Sequence, residues 1–198
     1  MKKIMDVVKA VSAERDYRSR CSAFKKCSYG EENKHLKFRM LCNKSRYAAY
    51  QGLISTVFAM LPDMIEARAH GYIPMVDLKR NSRPQAMLQD PRLAKKENAW
   101  EYYFTQPDKE MFLEEVRRSR HVEEQIKSSG NTDYYIGDRD PRADSALPVI
   151  YGAVRRNIHL QPQLRERLFR EKQQLFLKGE KILGVGIRAG YRAGIMNN

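Results

Sequence analysis

The sequence predicts an α/β protein built on an open, largely parallel sheet, and three consecutive segments carry this prediction. The segment "HLKFRMLC" alternates apolar and polar residues with the two-residue period of a strand. The segment "LISTVFAMLPDMIEARAHG" spaces its apolar residues as a helix does, and "YIPMVDL" is a short apolar strand. A strand, a helix and a second strand in this order form one α/β unit, whose strands are expected to run parallel.

The elements before and inside this unit follow from similar patterns. The first segment predicts a helix, since four apolar residues share one helical face: Ile4, Val7, Val8 and Val11. The segment "SYGEEN" is typical of a turn. Pro62 is expected to kink or interrupt the second helix, and Gly71 is expected to end it.

The second half of the chain alternates between loops and helices. Residues 79–97 are polar and contain two prolines, which predicts a surface loop. Asp108 is expected to cap a helix over "KEMFLEEVRRS". A Gly- and Asp-rich loop then leads to two further helices, over "ALPVIYGAVRRN" and "IHLQPQLRERLFREKQQLFLKG", and "KILGVGIR" predicts a final strand.

The composition points to a folded, strongly basic protein. Hydrophobic residues make up 42% of the chain, enough to form a core and too many for a disordered protein. The chain has 37 Lys and Arg residues against 24 Asp and Glu residues, a formal net charge of +13. Such an excess favours anionic partners, namely nucleic acid, phosphorylated small molecules or an anionic membrane surface.

The cysteines and the absence of export signals predict a reduced, cytoplasmic protein. Cys21, Cys27 and Cys42 cannot all pair with one another, and no signal-peptide pattern opens the sequence. No apolar run approaches the roughly 20 residues that a membrane span needs. These cysteines and His35 also lack the paired spacing of a zinc site, so no metal is expected.

The final predicted strand delivers an arginine to a glycine-containing loop, which suggests a phosphate site. Arg188 follows the strand directly, and Arg192 and Gly190 lie in the loop "AGYRAG". Ligands of open α/β sheets bind beyond the carboxyl ends of strands, and a guanidinium grips phosphate with two hydrogen bonds. The alternative is that both arginines are solvated residues of a basic protein.

Two further segments have a functional and a structural interpretation. Gly52 precedes the second helix, whose N-terminus offers unpaired N–H groups to an anion, although a plain turn has the same pattern. The segment "WEYYF" could stack bases or sugars, but aromatic clusters of this kind more often form core packing. No arrangement of serine, histidine and acidic residues identifies a general base.

Four ordered blocks of the sequence resemble the fucosyltransferase superfamily. The blocks are "QGLIS", "GYIPMVDL", "NAWEYYFTQP" and "LGVGIR". The superfamily includes α-1,6-fucosyltransferases, nodulation fucosyltransferases and protein O-fucosyltransferases. The chain is most similar to bacterial members encoded with surface-polysaccharide genes, and the resemblance extends from about Ser28 to the C-terminus.

This resemblance implies a glycosyltransferase with two facing α/β domains, of the GT-B type, that transfers a sugar from a GDP-linked donor to a glycan acceptor without a metal or other cofactor. Arg188 matches the motif arginine that contacts the donor phosphates, so Arg192 and Gly190 are expected beside it. Gly52 and Leu53 match the turn that lines the cleft, and Asp77 matches the acidic end of the second strand.

The resemblance also has departures. Gly186 stands where the motif has a histidine, and Ala189, Gly190 and Tyr191 replace its Gly-Thr-Asp. The nucleotide-binding domain of the family follows this motif, so residues 1–178 are expected to be the acceptor-side domain and 179–198 the first strand and loop of the donor domain. The chain alone is then expected to lack transfer activity, unless a second domain or chain complements it.

Two other functions remain open at the level of sequence. One is a basic, non-catalytic module that binds RNA or another polyanion, which the net charge of +13 favours. Basic and acidic residues are interleaved in segments such as "RERLFREKQQ", which is more typical of solvated helix faces. The other is a structural subunit that completes its fold with a partner chain.

Overall fold

A computed structural model describes residues 2–44, 52–79, 98–131 and 143–175. These residues form two compact units, Met1–Gln161 and a second unit that starts at Pro162. The first unit contains, in chain order, α1 (Lys2–Cys21), β1 (Phe24–Cys27), β2 (Phe38–Leu41), α2 (Leu53–Ala69), β3 (Ile73–Val76), α3 (Ala99–Tyr103), α4 (Leu113–Val116), β4 (Val122–Gln125) and α5 (Ala143–Asn157). The second contains α6 (Pro162–Leu175).

The described strands form one mixed sheet in the order β1-β4-β2-β3. β2 is parallel to both β3 and β4, with Phe38 opposite Ile73 on one side and Val122 on the other. β1 runs antiparallel to β4 at the edge. The predicted α/β class and the parallel pairing of the first two predicted strands are therefore confirmed.

Helix α2 covers one face of the sheet and builds the larger core cluster. The cluster combines residues of α2 with the ends of β2 and β3: Val57, Met60, Leu61 and Met64 pack with Leu41, Val76, Leu78 and Trp100. Each side chain of this size contributes about 1.5–3 kcal/mol when fully buried. α2 continues through Pro62, so an interruption there is wrong, while Gly71 follows the helix with φ +76°, as predicted for its end.

The other face of the sheet is covered by α4. Phe38, Met75 and Val122 of the sheet pack there against Leu113 and Val116. The longer helix expected after Asp108 is wrong, because α4 has only four residues. One backbone N–H at the start of α4 is bound by a side chain of the same helix, since the N–H of Phe112 donates to Glu115 Oε2 at 3.1 Å. Asp108 instead accepts from the backbone N–H of Glu110 at 3.3 Å, in a turn.

A network of charged side chains lies between the sheet and helices α1 and α2. Arg39 of β2 is fully buried, and its Nε and Nη2 donate to Glu123 Oε2 at 3.0 and 2.6 Å. The other oxygen of Glu123 accepts from the Tyr72 hydroxyl at 2.8 Å. On the helix side, Arg20 Nε donates to Glu66 Oε1 at 2.6 Å, and Glu66 Oε2 lies 3.9 Å from Arg39 Nη1. The network thus joins α1, α2 and two strands.

Aromatic rings surround the buried guanidinium of Arg39. Its Cζ lies 4.5 Å from the Phe24 ring centroid and 4.4 Å from that of Tyr72. Tyr17 of α1 is 5.9 Å away and stacks on His70 with ring centroids 3.5 Å apart. Cation–π contacts of this kind stabilise a charge that has lost its water.

The C-terminal helices agree with the sequence pattern. α6 falls within the last segment for which a helix was predicted, and α5 covers the segment predicted before it but begins three residues earlier, at Ala143. The predicted final strand and the boundary expected between residues 178 and 179 lie outside the described residues. Among the helices that are described, none combines the length and apolar character needed to cross a membrane.

Candidate functional site

The carboxyl edge of β2 and β3 brings together two of the features predicted from the sequence. Asp77 follows β3 directly, and its backbone N–H donates to the carbonyl of Leu41, the last residue of β2, at 2.9 Å. α2 leads from the end of β2 back to the start of β3, so its N-terminus lies at this same edge. Leu53 there packs against the core cluster that contains Leu41, Val76 and Leu78. Open α/β sheets bind ligands at such an edge.

The N-terminus of α2 presents backbone donors without a side-chain cap. Gly52 is the N-cap residue, no side chain caps the helix there, and the first turn has no acidic residue. The carbonyl of Gly52 accepts the first helical bond, from Thr56 N at 2.9 Å. The N–H groups of the first turn are thus left without helical acceptors and carry the positive end of the helix dipole. Gly52 has φ −70° and ψ 172°, a conformation open to any residue.

A buried hydroxyl in the first part of α2 is also unsatisfied. Thr56 is fully buried, and its Oγ1 has no hydrogen-bond partner among the residues that the structure describes. Buried polar groups of proteins are nearly always paired, and an unpaired one costs about 1–3 kcal/mol. The start of α2 therefore retains polar hydrogen-bonding capacity.

Two buried amides from the "NAWEYYFTQP" block close the free side of β3. The Val76 N–H donates to Gln106 Oε1 at 2.8 Å, and the Val76 carbonyl accepts from Gln106 Nε2 at 3.0 Å and from Asn98 Nδ2 at 2.7 Å. Asn98 Oδ1 also accepts from the Leu78 N–H at 2.8 Å. The two side chains thus replace the backbone of a neighbouring strand and fix the position of Asp77, which lies between their two partners.

The aromatic residues of this block serve mainly as core. Trp100 is fully buried, its Nε1 donates to the Thr105 carbonyl at 2.9 Å, and it packs on Phe104 with ring centroids 4.9 Å apart. The core interpretation is therefore confirmed for these two rings. Tyr102 is exposed and meets Tyr103 edge to face at 4.7 Å, so these rings are the ones accessible to a ligand.

Glu101 is a carboxyl group of this edge that the sequence did not single out. Its Oε1 accepts from Gln106 Nε2 at 2.8 Å. Glu101 therefore lies beside the amide clamp, as we call the Asn98 and Gln106 side chains that bind β3. Burial raises the pKa of Glu101 above its usual value, and the nearby charges of Glu114 and Asp77 raise it further, against the Gln106 hydrogen bond and Lys79. Two carboxyl groups, Glu101 and Asp77, thus lie near each other at the end of β3.

The Asp77 carboxylate is partly engaged by its own loop. Asp77 Oδ1 accepts from the Lys79 backbone N–H at 2.9 Å, which is an Asx turn. The side chain is half-buried, and its second oxygen has no hydrogen bond to another described residue. Asp77 is thus held in place and still has acceptor capacity.

The remaining predicted residues are Arg188, Gly190 and Arg192, and all three lie outside the described residues. In the part of the chain that the structure covers, no three His, Cys, Asp or Glu side chains are grouped as a metal site would require. Cys21, Cys27 and Cys42 form no disulfide with one another.

Comparison of the chain with protein-family models, with curated proteins and with solved structures found no match. A function for this chain is therefore inferred from its residues and their geometry.

Only part of this site has a signal in the sequence. Asp77 could be predicted because it ends an apolar strand. Glu101 could not, because it belongs to a short helix in an aromatic segment that carries no periodic pattern. The position of Glu101 follows from the two amides on either side of it in the sequence. Asn98 and Gln106 are eight residues apart, and both bind β3.

Proposed function

We propose that this chain contains the acceptor-side α/β domain of a fucosyltransferase-like glycosyltransferase, and that the carboxyl edge of β2 and β3 forms one wall of its active-site cleft. One observation carries the proposal. Three of the four blocks that resemble this superfamily are far apart in sequence, yet they meet at this edge. Asn98 hydrogen-bonds to Val76 and Leu78, and Leu53 packs against the core cluster that contains these two residues. The fourth block contains Arg188 and lies outside the described residues.

The groups at this edge suit the two substrates of such a reaction. Backbone N–H groups at the start of α2 can donate to hydroxyl or phosphate oxygens, as uncapped helix N-termini do. The exposed ring of Tyr102 can pack against a sugar face. Arg188, with Arg192 and Gly190, would hold the diphosphate of a GDP-linked donor and stabilise the charge that develops on it.

Glu101 has the properties of a general base for the acceptor. In an inverting transfer, an acceptor hydroxyl oxygen attacks C1 of the donor sugar and the bond from C1 to the diphosphate oxygen breaks. The hydroxyl proton must go to a base, and the diphosphate leaves with the electron pair. A carboxylate whose pKa is raised is a better proton acceptor than an ordinary one, and Glu101 is raised by burial and by its acidic neighbours. Asp77 assists because its negative charge helps to keep the pKa of Glu101 raised.

The proposal is tested by locating the binding of GDP-fucose on the 15N-labelled chain by NMR. We expect amide shifts to change at Gly52, Leu53 and Asp77, with GDP alone reproducing the part due to the diphosphate. Asp77→Asn and Glu101→Gln should alter the response to acceptor glycans, whereas Glu110→Gln, a change at an exposed acid outside the blocks that resemble this superfamily, should not. Saturating GDP-fucose that leaves the amides of Gly52, Leu53 and Asp77 unchanged would contradict the proposal.

A further inference from the structure

The opposite edge of the sheet holds a cavity that the proposed function does not use. Tyr72, Lys37 and His121 each precede one of the parallel strands, and the strand register aligns them in one row. Ile73 N donates to the Lys37 carbonyl at 2.7 Å and Phe38 N donates to the His121 carbonyl at 2.9 Å. We call this row the amino edge. It opens into a cavity of about 440 Å³, which is in the size range of small-ligand sites.

The cavity is lined by an excess of cationic side chains. Lys26 of β1, Lys37 and Arg120 line it, and Glu123 is the one acid among its described lining residues. Both Glu123 oxygens are already occupied, one by Arg39 and the other by the Tyr72 hydroxyl. The carboxylate therefore does not offset the charge of the lysines at the mouth of the cavity.

These cations are free to bind a ligand. Arg120 has one acidic neighbour, Glu31, at 3.7 Å, and both side chains are exposed, so this pair contributes little. No ion pair joins Lys26 or Lys37 to an acid within the described ranges. By contrast, Lys34, which does not line the cavity, lies 3.5 Å from Glu31. Unpaired cations that share a cavity of limited volume favour a compact, multiply charged anion.

We infer that the cavity at the amino edge binds the phosphate group of a small phosphorylated metabolite, through Lys26, Lys37 and Arg120. Ammonium and guanidinium groups are the usual phosphate donors of proteins. The Tyr72 side chain is fixed by its hydrogen bond to Glu123 and forms a rigid wall. The volume exceeds that of one phosphate, so it accommodates the carbon skeleton as well. This site is separate from the carboxyl edge and does not depend on the glycosyltransferase proposal.

The test measures binding of ribose 5-phosphate to the full chain at constant, low ionic strength, by NMR and by calorimetry. We expect saturable binding with shifts at Lys37 and His121, and no binding of ribose. The variant Lys26→Gln/Lys37→Gln should raise the Kd at least about tenfold, since each lost contact is a charge-assisted hydrogen bond. Circular dichroism and thermal unfolding verify that each variant is folded.

The matched control is Lys25→Gln/Lys34→Gln, which removes the same charge from two exposed lysines that do not line the cavity. Its Kd should change by less than about threefold. Equal losses in both double variants would overturn the inference, because they would indicate general surface charge. Absence of saturable binding up to about 10 mM would also overturn it. So would much tighter binding of a single-stranded RNA that depends equally on all four lysines, which would instead indicate a nucleic-acid surface.

The failure of this site is distinguishable from that of the proposed function. GDP-fucose is expected to shift Gly52, Leu53 and Asp77, whereas ribose 5-phosphate is expected to shift Lys37 and His121. Either set can be present without the other.

Discussion

Arg39 and Glu123 stand opposite each other on adjacent parallel strands and form an ion pair inside the protein. Two guanidinium nitrogens of Arg39 donate to one carboxylate oxygen, at 3.0 and 2.6 Å. Burial lowers the pKa of Arg39, but the hydrogen bonds to Glu123 and Tyr17 outweigh this effect and raise it. Arg39 therefore remains charged, although it has lost its contact with water.

Removal of one member of this pair should be strongly destabilising. Arg39→Met would leave Glu123 buried without its counter-charge, so we expect the free energy of unfolding to fall by about 3–5 kcal/mol. Urea unfolding followed by circular dichroism measures the change. The double variant Arg39→Met/Glu123→Leu should recover much of the loss, because no uncompensated charge remains.

An exposed ion pair provides the control for this prediction. Arg18 pairs with Glu14 at 2.9 Å on the surface of α1. Arg18→Met should change stability very little, since exposed pairs of this type contribute little. If Arg18→Met and Arg39→Met lowered the free energy of unfolding by similar amounts, burial of the Arg39 pair would not be the cause of the destabilisation.

Asp63 should make stability decrease as the pH rises through mildly acidic values. Burial raises its pKa from 3.8 to about 6, with Glu66 adding to the effect and the Ser129 and Gln125 hydrogen bonds opposing it. Between these two pKa values the folded state binds more protons than the unfolded state, so the free energy of unfolding falls with rising pH. The contribution is present below pH 4 and is lost by about pH 6, a total of about 3 kcal/mol.

Asp63→Asn removes this titration and keeps one of the two acceptor oxygens, which now bind Ser129 and Gln125 separately. The variant should gain stability relative to the parent as the pH rises from 4 to 7, and the difference should level off above the Asp63 pKa of about 6. Urea unfolding of both proteins across this pH range measures the difference and cancels the other carboxyl groups. A difference that is independent of pH would contradict the assignment to Asp63.

The amide clamp on β3 should be essential for the order of the carboxyl edge. Asn98→Leu removes the partner of the Leu78 N–H and one of the two partners of the Val76 carbonyl, which keeps Gln106. We therefore expect a loss of about 2–4 kcal/mol, from one buried group left unsatisfied and one hydrogen bond lost. Hydrogen exchange of the Leu78 amide should also accelerate. Gln163→Leu, at an exposed position of α6, is the control and should affect neither. Unchanged exchange at Leu78 in Asn98→Leu would show that the clamp is dispensable.

The proposed base can be tested by titration of its carboxyl group. The pKa of Glu101 should be above the usual glutamate value, and Asp77→Asn should lower it because one of the like charges that raise it is removed. Lys79→Met should move it in the opposite direction. Carbon-13 NMR of the side-chain carboxyl group measures both. Asp108→Asn is the control, and an equal response to it would indicate a general charge effect.

The parts of the fold that follow from local pattern could be predicted, and the parts that depend on distant partners could not. α2 and the pair β2 and β3 have clear periods, and they were predicted correctly. β1 and β4, with the sequences "FKKC" and "VEEQ", were not, because each is short and half charged. The buried position of Glu123 in β4 depends on Arg39, which is 84 residues away along the chain.

The same distinction applies to the candidate site. Asp77 was predicted because the residue after an apolar strand lies at the edge of a sheet. The roles of Asn98 and Gln106 require knowledge of which strand is at the edge and which segment lies against it. The spacing of the two amides does not predict that they bind an edge strand, since polar residues beside a proline-containing loop usually face water.

The two amides on β3 have a consequence for association of this protein with other chains. An unprotected edge strand offers a row of backbone groups to any extended segment that meets it. At Val76 both of these groups are occupied by the side chains of Gln106 and Asn98. A foreign segment could align along this strand only by displacing two buried side chains, so growth of the sheet into fibres from this side is opposed by the native packing itself.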